Sequence, residues 1–425
     1  MTEIIKQIKV KEIQKGKEKS NVPKLRFKGF EDEWETSNLN ILCEINPKSK
    51  YLPDEFIYID LESVVNGILI KNNKISIEDA PSRAQRILEV GDILFQTVRP
   101  YQMNNYIFLL ENELKSVAST GYAQLRSKRN KSINTFIYQL IHNQRFNNNV
   151  LLRCTGTSYP AITCSELGNI SIKIPGLHEQ KKMADFLSLV DKKVEKQSEK
   201  VEALKTYQKG IIQKIFKQEI RFKDENGREY PEWEEKRFGD IGKTYTGLSG
   251  KTKEDFETGN AKYITYMNVF KNIKIKSELI DIVDIKDNEN QNKVLEGDLL
   301  FTTSSETAEE VGMVSLCDKY IENLYLNSFC FGFRIKNLKI NSNFIVYYLR
   351  SPKIRKKISI LAQGSTRYNL SKNELMKLAI EIPCIEEQTQ IATFLCTIDE
   401  RMDKEEKKLE ELKVWKKGLL QKMFI

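Results

Sequence analysis

Two stretches of the chain decide its architecture: IPGLHEQKKMADFLSLVDKKVEKQSEKVEALKTYQKGIIQKIF at residues 174–216 and IPCIEEQTQIATFLCTIDERMDKEEKKLEELKVWKKGLLQKMF at residues 382–424. The second stretch aligns with the first, without a gap, at an offset of 208 positions. From Leu177 and Ile385 onward, sixteen of the forty aligned pairs are identical. Self-similarity at a fixed offset indicates that a structural unit is present twice in this 425-residue chain.

The repeat continues upstream as a frame around two different interiors. The same offset pairs Gly156 with Gly364, and GDILF at Gly91 has its counterpart in GDLLF at Gly297. LRFKGFEDEW, from residue 25, matches IRFKDENGREYPEW, from residue 220, whereas most residues inside each frame differ. The sequence therefore predicts two modules that share a framework and differ in what the framework carries.

The repeated stretches have the apolar spacing of long helices that pack against each other. Apolar residues recur at alternating intervals of four and three, over about 40 residues or about 60 Å of helix. The predicted seam positions are Met183, Leu187, Val190, Val194, Val201, Leu204, Ile211 and Ile215, with Ile391, Leu395, Ile398, Met402, Leu409, Leu412, Leu419 and Met423 in the second copy. We expect the polar seam residues Gln197, Gln208, Glu405 and Lys416 to fix the register. The prediction is an antiparallel coiled coil of the two repeated helices; the alternative is a solvated helix packed on its own domain.

The blocks between the helices are predicted to be mixed α/β modules. KISI, GDILFQTV, YIFLL and NISIKI in the first block, and AKYITYMNVF, GDLLFTT and FGFRI in the second, are typical of strands. INTFIYQLIHNQRF and SNFIVYYLRSPKIRKKI each predict one short helix. The predicted fold class is α+β, with two mixed α/β domains joined by two long helices in a pseudo-twofold internal repeat. The predicted segments are a basic tail at 1–20, a first domain at 21–175, a central helix at 176–217, a second domain at 218–383 and a C-terminal helix at 384–425.

Composition excludes several classes of protein. Hydrophobic residues make up 40% of the chain and charged residues 30%, and 37 Phe and Tyr residues argue against general disorder. No apolar run approaches the roughly 18 residues that a membrane span needs, and seven scattered cysteines without CxxC spacing predict reduced thiols in a cytoplasmic protein. The net charge of +9 is concentrated in residues 1–30 and 177–217, so charge alone is weak evidence for DNA binding.

The motifs of an enzyme are missing from the sequence. The two GKT fragments, at Gly242 and Gly250, lack the earlier glycine of a phosphate-binding loop. The chain has only two histidines, and His178 is replaced by Glu386 in the second copy, which favours a surface position over a catalytic one. We therefore expect no catalytic residue, no metal site and no cofactor in this chain.

The repeated motifs resemble those of the specificity subunit of type I restriction-modification enzymes. The resemblance is carried by the two IPxxxEQxx[IM]AxFL openings, the helices ending KG[IL][IL]QK[IM]F, the LRFKGFEDEWE and IRFKDENGREYPEWEE segments, and the G[ST][ST] turns. It implies two target-recognition domains, each of which reads one half of a bipartite, asymmetric sequence in double-stranded DNA. It also implies long helices that space the domains and dock two methyltransferase subunits. Those subunits would use S-adenosylmethionine, and a restriction and translocase subunit would use ATP and Mg²⁺.

Candidate DNA contacts fall in two kinds of turn. The turns after GDILF and GDLLF contribute Arg99, Tyr101 and Gln102 in the first copy and Thr303, Ser304 and Ser305 in the second. The glycine turns contribute Arg153, Thr155, Thr157 and Tyr159, and Ser365, Thr366, Arg367 and Tyr368. Arg and Gln can read base edges, and hydroxyl groups suit phosphates; the alternative is an ordinary solvated loop, or a turn that only caps the join to the helix.

The sequence leaves alternatives open for a basic cluster and for the chain as a whole, and it gives one further prediction for the tryptophans. The basic cluster from Lys353 to Lys357 could follow a DNA backbone or form a solvated helix face. The three tryptophans, Trp34, Trp233 and Trp415, recur at frame positions and are predicted to pack. The chain as a whole could instead be a coiled-coil scaffold with two globular heads, or part of a fused restriction enzyme.

Overall fold

A computed structural model describes residues 8–10, 21–48, 51–111 and 113–425. Apart from a strand at Ile8–Val10, the predicted basic tail lies outside the described residues. The chain forms two compact units: unit 1 contains Met1–Glu199 and Lys407–Ile425, and unit 2 contains Lys200–Glu406. Each unit therefore takes about half of each long helix, whereas the predicted segments kept the helices separate from the domains.

The elements of unit 1 are mostly short. Its strands are β1 (Ile8–Val10), β2 (Leu25–Phe27), β3 (Glu35–Asn38), β4 (Cys43–Ile45), β5 (Glu55–Ile59), β6 (Val64–Val65), β7 (Ile68–Leu69), β8 (Asn73–Ser76), β9 (Ala84–Ile87), β10 (Ile93–Gln96), β11 (Tyr106–Ile107), β12 (Ser116–Ser119), β13 (Tyr122–Ser127) and β14 (Ser171–Ile174). Its helices are α1 (Leu39–Leu42), α2 (Asn134–Leu140), α3 (Gln144–Leu151) and α4 (Cys164–Gly168), and helix α5 (Leu177–Phe216) continues into unit 2.

Unit 2 has a similar set of elements. Its strands are β15 (Glu234–Arg237), β16 (Gly242–Thr246), β17 (Phe256–Ile264), β18 (Ile280–Val283), β19 (Leu299–Thr302), β20 (Ser304–Ser305), β21 (Val314–Leu316), β22 (Leu324–Leu326), β23 (Cys330–Ile335), β24 (Ala362–Gln363), β25 (Tyr368–Leu370) and β26 (Ala379–Ile382). Its helices are α6 (Phe238–Ile241), α7 (Tyr266–Lys271), α8 (Ser342–Arg350), α9 (Pro352–Ile360) and α10 (Lys372–Met376), and helix α11 (Ile385–Met423) ends in unit 1.

The two units share sheet topology even where their sequences differ. Unit 1 has an antiparallel sheet in the order β11-β10-β13-β4, and unit 2 has one in the order β21-β19-β23-β16. Strands β10 and β19, which carry the GDILF and GDLLF motifs, hold the same inner place. A second sheet in each unit contains one parallel pair, β5 with β12 and β17 with β22, and β3 pairs with β14 as β15 pairs with β26. The internal repeat is therefore present in tertiary structure as well as in sequence.

The long helices have the predicted extent, 40 residues for α5 and 39 for α11. All sixteen predicted seam residues are buried or half-buried. Within unit 2, Lys200 Nζ lies 2.5 Å from Glu405, and Gln208 donates a hydrogen bond to Asp399, so the helices run antiparallel there. Within unit 1, Lys416 Nζ lies 2.7 Å from Asp191. The two polar seam residues Gln208 and Lys416 therefore pair with equivalent aspartates of the facing helix.

Aromatic side chains anchor the helix ends in the two cores. Trp34 is buried against Phe424, the last phenylalanine of the second repeat, with ring centroids 6.4 Å apart. Trp233 contacts the equivalent Phe216 at 6.5 Å, and Trp415 contacts Phe186 at 6.5 Å. The three tryptophans therefore pack, as the sequence predicts. Phe424 and Phe216, at the ends of the two long helices, therefore each lie in the unit built from the other repeat.

Two local predictions were only partly right. AKYITYMNVF was expected to be one strand, but only AKYI belongs to strand β17, because Thr265 accepts a hydrogen bond from the Asn268 N–H and caps the start of helix α7. Each block was expected to have one short helix, but both helical segments divide in two. Asn143 caps the start of α3, and Pro352 occupies the first turn of α9, where its missing N–H costs nothing.

Candidate nucleic-acid interface

The EQ pair of each helix opening holds the frame together. Both carboxylate oxygens of Glu179 accept hydrogen bonds from Arg26, at 2.8 and 2.7 Å, and Glu387 accepts from Arg221 at 3.3 and 2.9 Å. Both glutamates are buried. Gln180 donates to the Pro175 carbonyl and accepts from the Ile133 N–H, and the equivalent Gln388 makes the same kinds of bond. These repeated residues therefore fasten each long helix to its unit.

The aspartate of each GD motif fixes the strand that leads to the candidate site. Asp92 is bound by Arg126 at 2.8 Å through both carboxylate oxygens, and Asp298 is bound by Arg334 at 2.9 and 2.7 Å. Asp92 also accepts from Gln124, whereas Asp298 accepts from Tyr245, at 2.7 Å in each case. The repeated aspartate thus holds β10 and β19 in equivalent positions while its neighbours vary.

In unit 1 the two predicted turns lie against each other. We call residues 97–105 loop 1 and residues 153–161 glycine turn 1. The Arg99 N–H donates to the Pro160 carbonyl at 2.7 Å, and the Arg99 guanidinium lies 4.4 Å from the centre of the Tyr159 ring. Thr155 and Ala161 exchange two backbone hydrogen bonds, which close the glycine turn. Tyr101, Gln102, Thr157 and Tyr159 are exposed beside this contact.

Unit 2 brings the equivalent turns together by strand pairing. We call residues 303–312 loop 2 and residues 363–369 glycine turn 2. Strand β20 pairs with β25 through Ser304 with Asn369 and Ser305 with Tyr368, and the Leu370 N–H donates to the Thr303 carbonyl at 2.9 Å. The hairpin of β24 and β25 leaves an exposed tip of Ser365, Thr366 and Arg367.

Glycine is required at the tip of each turn. Gly156 has a φ of 90° and Gly364 a φ of 124°, both in the region that favours glycine. A Cβ atom on Gly364 would lie 2.2 Å from the Arg367 carbonyl oxygen. The repeated glycine therefore shapes the turn itself.

Several predicted contacts are not presented to solvent. Ser304 and Ser305 are buried, with 5% and 7% exposure, since both belong to the paired strand β20. Both hydroxyls are therefore nearly covered by the protein itself, and their contact with DNA stays a prediction. Arg153 is half-buried and donates to the Asn149 carbonyl at 2.9 Å, which ties it to helix α3.

The basic cluster on α9 is largely engaged inside unit 2. Arg355 donates to the carbonyl groups of Glu309, Val311 and Gly312 at 2.7, 2.5 and 2.8 Å, and burial lowers the pKa of Arg355 to about 10. Lys353 binds Glu381 at 2.9 Å. Arg355 therefore shapes loop 2, a role that the sequence reading missed because nothing in the local spacing shows which carbonyl groups the side chain reaches.

Sequence reading also missed Gln96 at the end of β10. Gln96 is 2% exposed, and its Nε2 donates to Gln102 Oε1 and to the Val98 carbonyl, at 2.8 Å in both cases. Thr302 takes the equivalent place after GDLLF and accepts from the Met313 N–H at 3.0 Å. A polar residue just after a repeated apolar motif was the available signal.

Neither a membrane span nor a metal site is found in the part of the chain that the structure describes. None of the helices there is long and apolar enough to cross a bilayer. In the same residues, no group of three or more His, Cys, Asp or Glu side chains could hold a metal ion. All seven cysteines are free thiols.

Two units of one frame that carry unlike loop pairs define a duplicated recognition protein. A family model described as the type I restriction modification DNA specificity domain matches the chain at residues 31–206 and again at 230–414. The chain belongs to this family. The predicted fold class and the predicted role as a DNA specificity subunit that is not itself a catalyst are thereby confirmed, and the alternative of a scaffold without a DNA role loses its support. A subunit of this kind assembles with DNA and with other subunits.

The relatives and solved structures that this chain is similar to also come from type I restriction-modification systems. The putative type I restriction enzyme MjaX specificity subunit of Methanocaldococcus jannaschii is 24% identical, over 94% of this chain and 95% of that protein. The MjaVIII specificity subunit of the same organism is 26% identical, over 62% of this chain and 64% of the relative. The S subunit of a type I restriction-modification system from M. genitalium has a TM-score of 0.58 at 15% identity, with 95% of this chain and 99% of that chain covered. A chain from a study of complex assembly and conformational transition of the type I R-M system has a TM-score of 0.56 at 21% identity, with 92% and 97% covered. At these identities the solved structures establish the fold.

Proposed function

We propose that unit 1 and unit 2 each read one half of a bipartite, asymmetric DNA target. The observation that supports this proposal is that equivalent sheets, held by equivalent aspartates and arginines, carry two unlike loop pairs. A shared frame presents loop 1 and loop 2 from the same strand position, while their side chains differ. Since base edges are read by specific donor and acceptor patterns, unlike loops select unlike half-sites.

The electrostatics of the two loops support different modes of contact. Loop 1 carries Arg99 beside Tyr101 and Gln102, which suits base edges. Loop 2 is acidic, and its Glu310 accepts hydrogen bonds from Ser305 and Thr307 at 3.2 and 3.0 Å. We therefore assign phosphate contact in unit 2 to the exposed tip of glycine turn 2, where the hydroxyl groups and the arginine lie.

The proposed complex contains two methylating subunits and restriction subunits, with the two long helices as spacer and docking surface. S-adenosylmethionine would be bound by the methylating subunits, and ATP and Mg²⁺ by the restriction subunits. The purified chain alone is expected neither to methylate nor to cleave DNA. Seven free thiols fit a reducing compartment, so we propose a cytoplasmic location.

Mapping methylated adenines tests the proposal. The chain is co-expressed with methylating subunits of its own system in a host without such methylation, and the modified genome is sequenced. We expect one motif with two unlike halves at a fixed separation. A contiguous motif, two identical half-sites, or methylation without sequence preference in an assembled complex would contradict the proposal. A parallel expression without this chain is the control.

A further inference from the structure

We propose that Gln96 and Tyr159 are positioning residues, which orient Gln102 and Arg99 as hydrogen-bond donors toward a base edge that presents acceptors. This inference rests on the proposed function and specifies what unit 1 reads. It concerns keto bases, guanine or thymine, since their major-groove edges carry the acceptors O6 and O4 where adenine and cytosine carry amino donors.

The orientation of the Gln96 amide is fixed by backbone groups. Its Oε1 accepts from the Asn104 N–H at 3.2 Å, and its Nε2 donates to the Val98 carbonyl at 2.8 Å. A backbone N–H can only donate and a backbone carbonyl can only accept, so the reversed amide would lose both bonds. The second N–H of Gln96 therefore points to Gln102, whose side chain must offer its oxygen, at 2.8 Å.

This bond determines which end of the Gln102 amide faces a ligand at the surface. Its Oε1 is directed to Gln96, so its Nε2 is the end left for a ligand. Gln102 is exposed, and its Nε2 donates no hydrogen bond within the described residues. A free glutamine could rotate its amide and accept or donate equally well, but this one is oriented to donate.

Arg99 is also oriented as a hydrogen-bond donor, but by different contacts. Its guanidinium stacks on the Tyr159 ring at 4.4 Å, and its backbone N–H donates to the Pro160 carbonyl. Its side chain makes no hydrogen bond within the described residues, which leaves the guanidinium N–H groups available. An arginine held by this contact, with its N–H groups available, matches the two acceptors of guanine, O6 and N7.

Loop 1 is preorganised at an energetic cost. Arg99 and Met103 both have left-handed backbone conformations, with φ of 53° and 54°, which non-glycine residues seldom adopt. The loop is held by the Asn66 N–H, which donates to Asn104 at 3.0 Å, and by the Gln96 N–H, which donates to Asn105 at 2.9 Å. Strain retained by several bonds in an exposed loop indicates a geometry built for a ligand.

Unit 2 has no equivalent of this arrangement in its described residues. Thr302 stands in the place of Gln96, and its hydroxyl accepts from the Met313 N–H, just beyond the end of loop 2. Counted from the repeated motif, loop 2 has Ser305 at the position of Arg99 and Ala308 at the position of Gln102. The inferred donor pair is therefore confined to the first half-site, and the second half-site serves as an internal reference.

The test uses Gln102→Glu in the assembled complex with its methylating subunits. A glutamate keeps the shape and can still accept from Gln96, but its outward oxygen can only accept. Selection from randomised duplexes, followed by sequencing, should show one position of the first half-site changing from guanine or thymine to adenine or cytosine on the same strand, with a preference change of about 5- to 100-fold. The second half-site should not change.

Two further variants separate orientation from charge and from folding. Gln85→Glu adds the same charge at another exposed amide of unit 1 and should leave the selected motif as it is. Gln96→Met removes the amide that orients Gln102. At the base position that Gln102→Glu alters, this variant should weaken the preference for guanine or thymine, and the rest of the motif should stay the same. If Gln102→Glu binds no duplex, Gln102→Met, which removes the donor without adding charge, must relax that position.

The outcomes distinguish this inference from the proposed function. A wild-type complex that selects no sequence would overturn both. A wild-type complex with a clear motif, together with Gln102 variants that keep the wild-type preference at every position, would overturn the inference alone. A uniform loss of affinity in Gln96→Met, without relaxation at one position, would reduce Gln96 to a structural residue and overturn its positioning role.

Discussion

Replacing Arg26 with Met is expected to destabilise unit 1 more than removing the whole ion pair. Two Arg26 nitrogens lie 2.8 and 2.7 Å from the Glu179 carboxylate, and the side chains are 9% and 3% exposed. Without Arg26 the carboxylate stays buried and uncompensated, which costs about 3–5 kcal/mol of unfolding free energy. The double variant Arg26→Met, Glu179→Met buries two apolar side chains instead, and such replacements are often neutral or stabilising.

The assay is unfolding in urea, monitored by amide hydrogen exchange, because exchange reports on each unit separately. Arg26→Met should lower the protection of unit 1 and leave unit 2 unchanged, while the double variant should recover most of the loss. The equivalent pair Arg221 and Glu387 gives the matched experiment in unit 2, where Glu387 is 0% exposed. Equal losses in the single and double variants would refute the reasoning, because the unpaired charge would then not be the cause.

Three further predictions concern other parts of the chain. Burial raises the pKa of Asp399, so folding favours its protonated form. The stability of unit 2 should therefore rise as pH falls from neutral through this raised pKa. Asp399→Asn should weaken that pH dependence, as urea unfolding at several pH values can show. Arg99→Ala should relax one base position by about 1–3 kcal/mol, whereas Arg367→Ala should weaken binding to all sequences and lower the salt slope by about one, as competition binding at two salt concentrations can show. Inserting four residues into both helices, at 197–201 and 406–408, adds about 6 Å and should lengthen the gap between unchanged half-sites in methylation maps; an unchanged gap would mean that the helices do not set the distance.

The long helices were predictable because their signal is local and repeated. An apolar residue at every third or fourth position has one structural solution over this length, and the second copy supplied the facing surface. The points at which the shorter elements begin and end were harder to predict, although the sequence contains signals for them. Pro352 and Thr265 are ordinary helix-start residues, but the apolar runs around them outweighed them in the sequence reading.

The candidate site was predictable only in part, because its contacts join distant residues. Position after the repeated GDILF motif was enough to select Arg99, and the repeated glycines Gly156 and Gly364 were enough to select the glycine turns. No local pattern states that Arg99 stacks on Tyr159 or that Arg355 binds the carbonyl groups of loop 2. The burial of Ser304 follows from its pairing with Asn369, which is a property of the folded sheet.

The most direct test of the two units as independent readers of half-sites exchanges one interior and leaves the frame in place. Residues 21–172 are replaced by the corresponding segment of a relative that keeps the arginine equivalent to Arg26, so that the bond to Glu179 can form. Methylated adenines are then mapped for a complex shown to assemble. One half of the motif should change to that of the relative, while the other half and the gap stay the same. A change in both halves, or in neither, would contradict it.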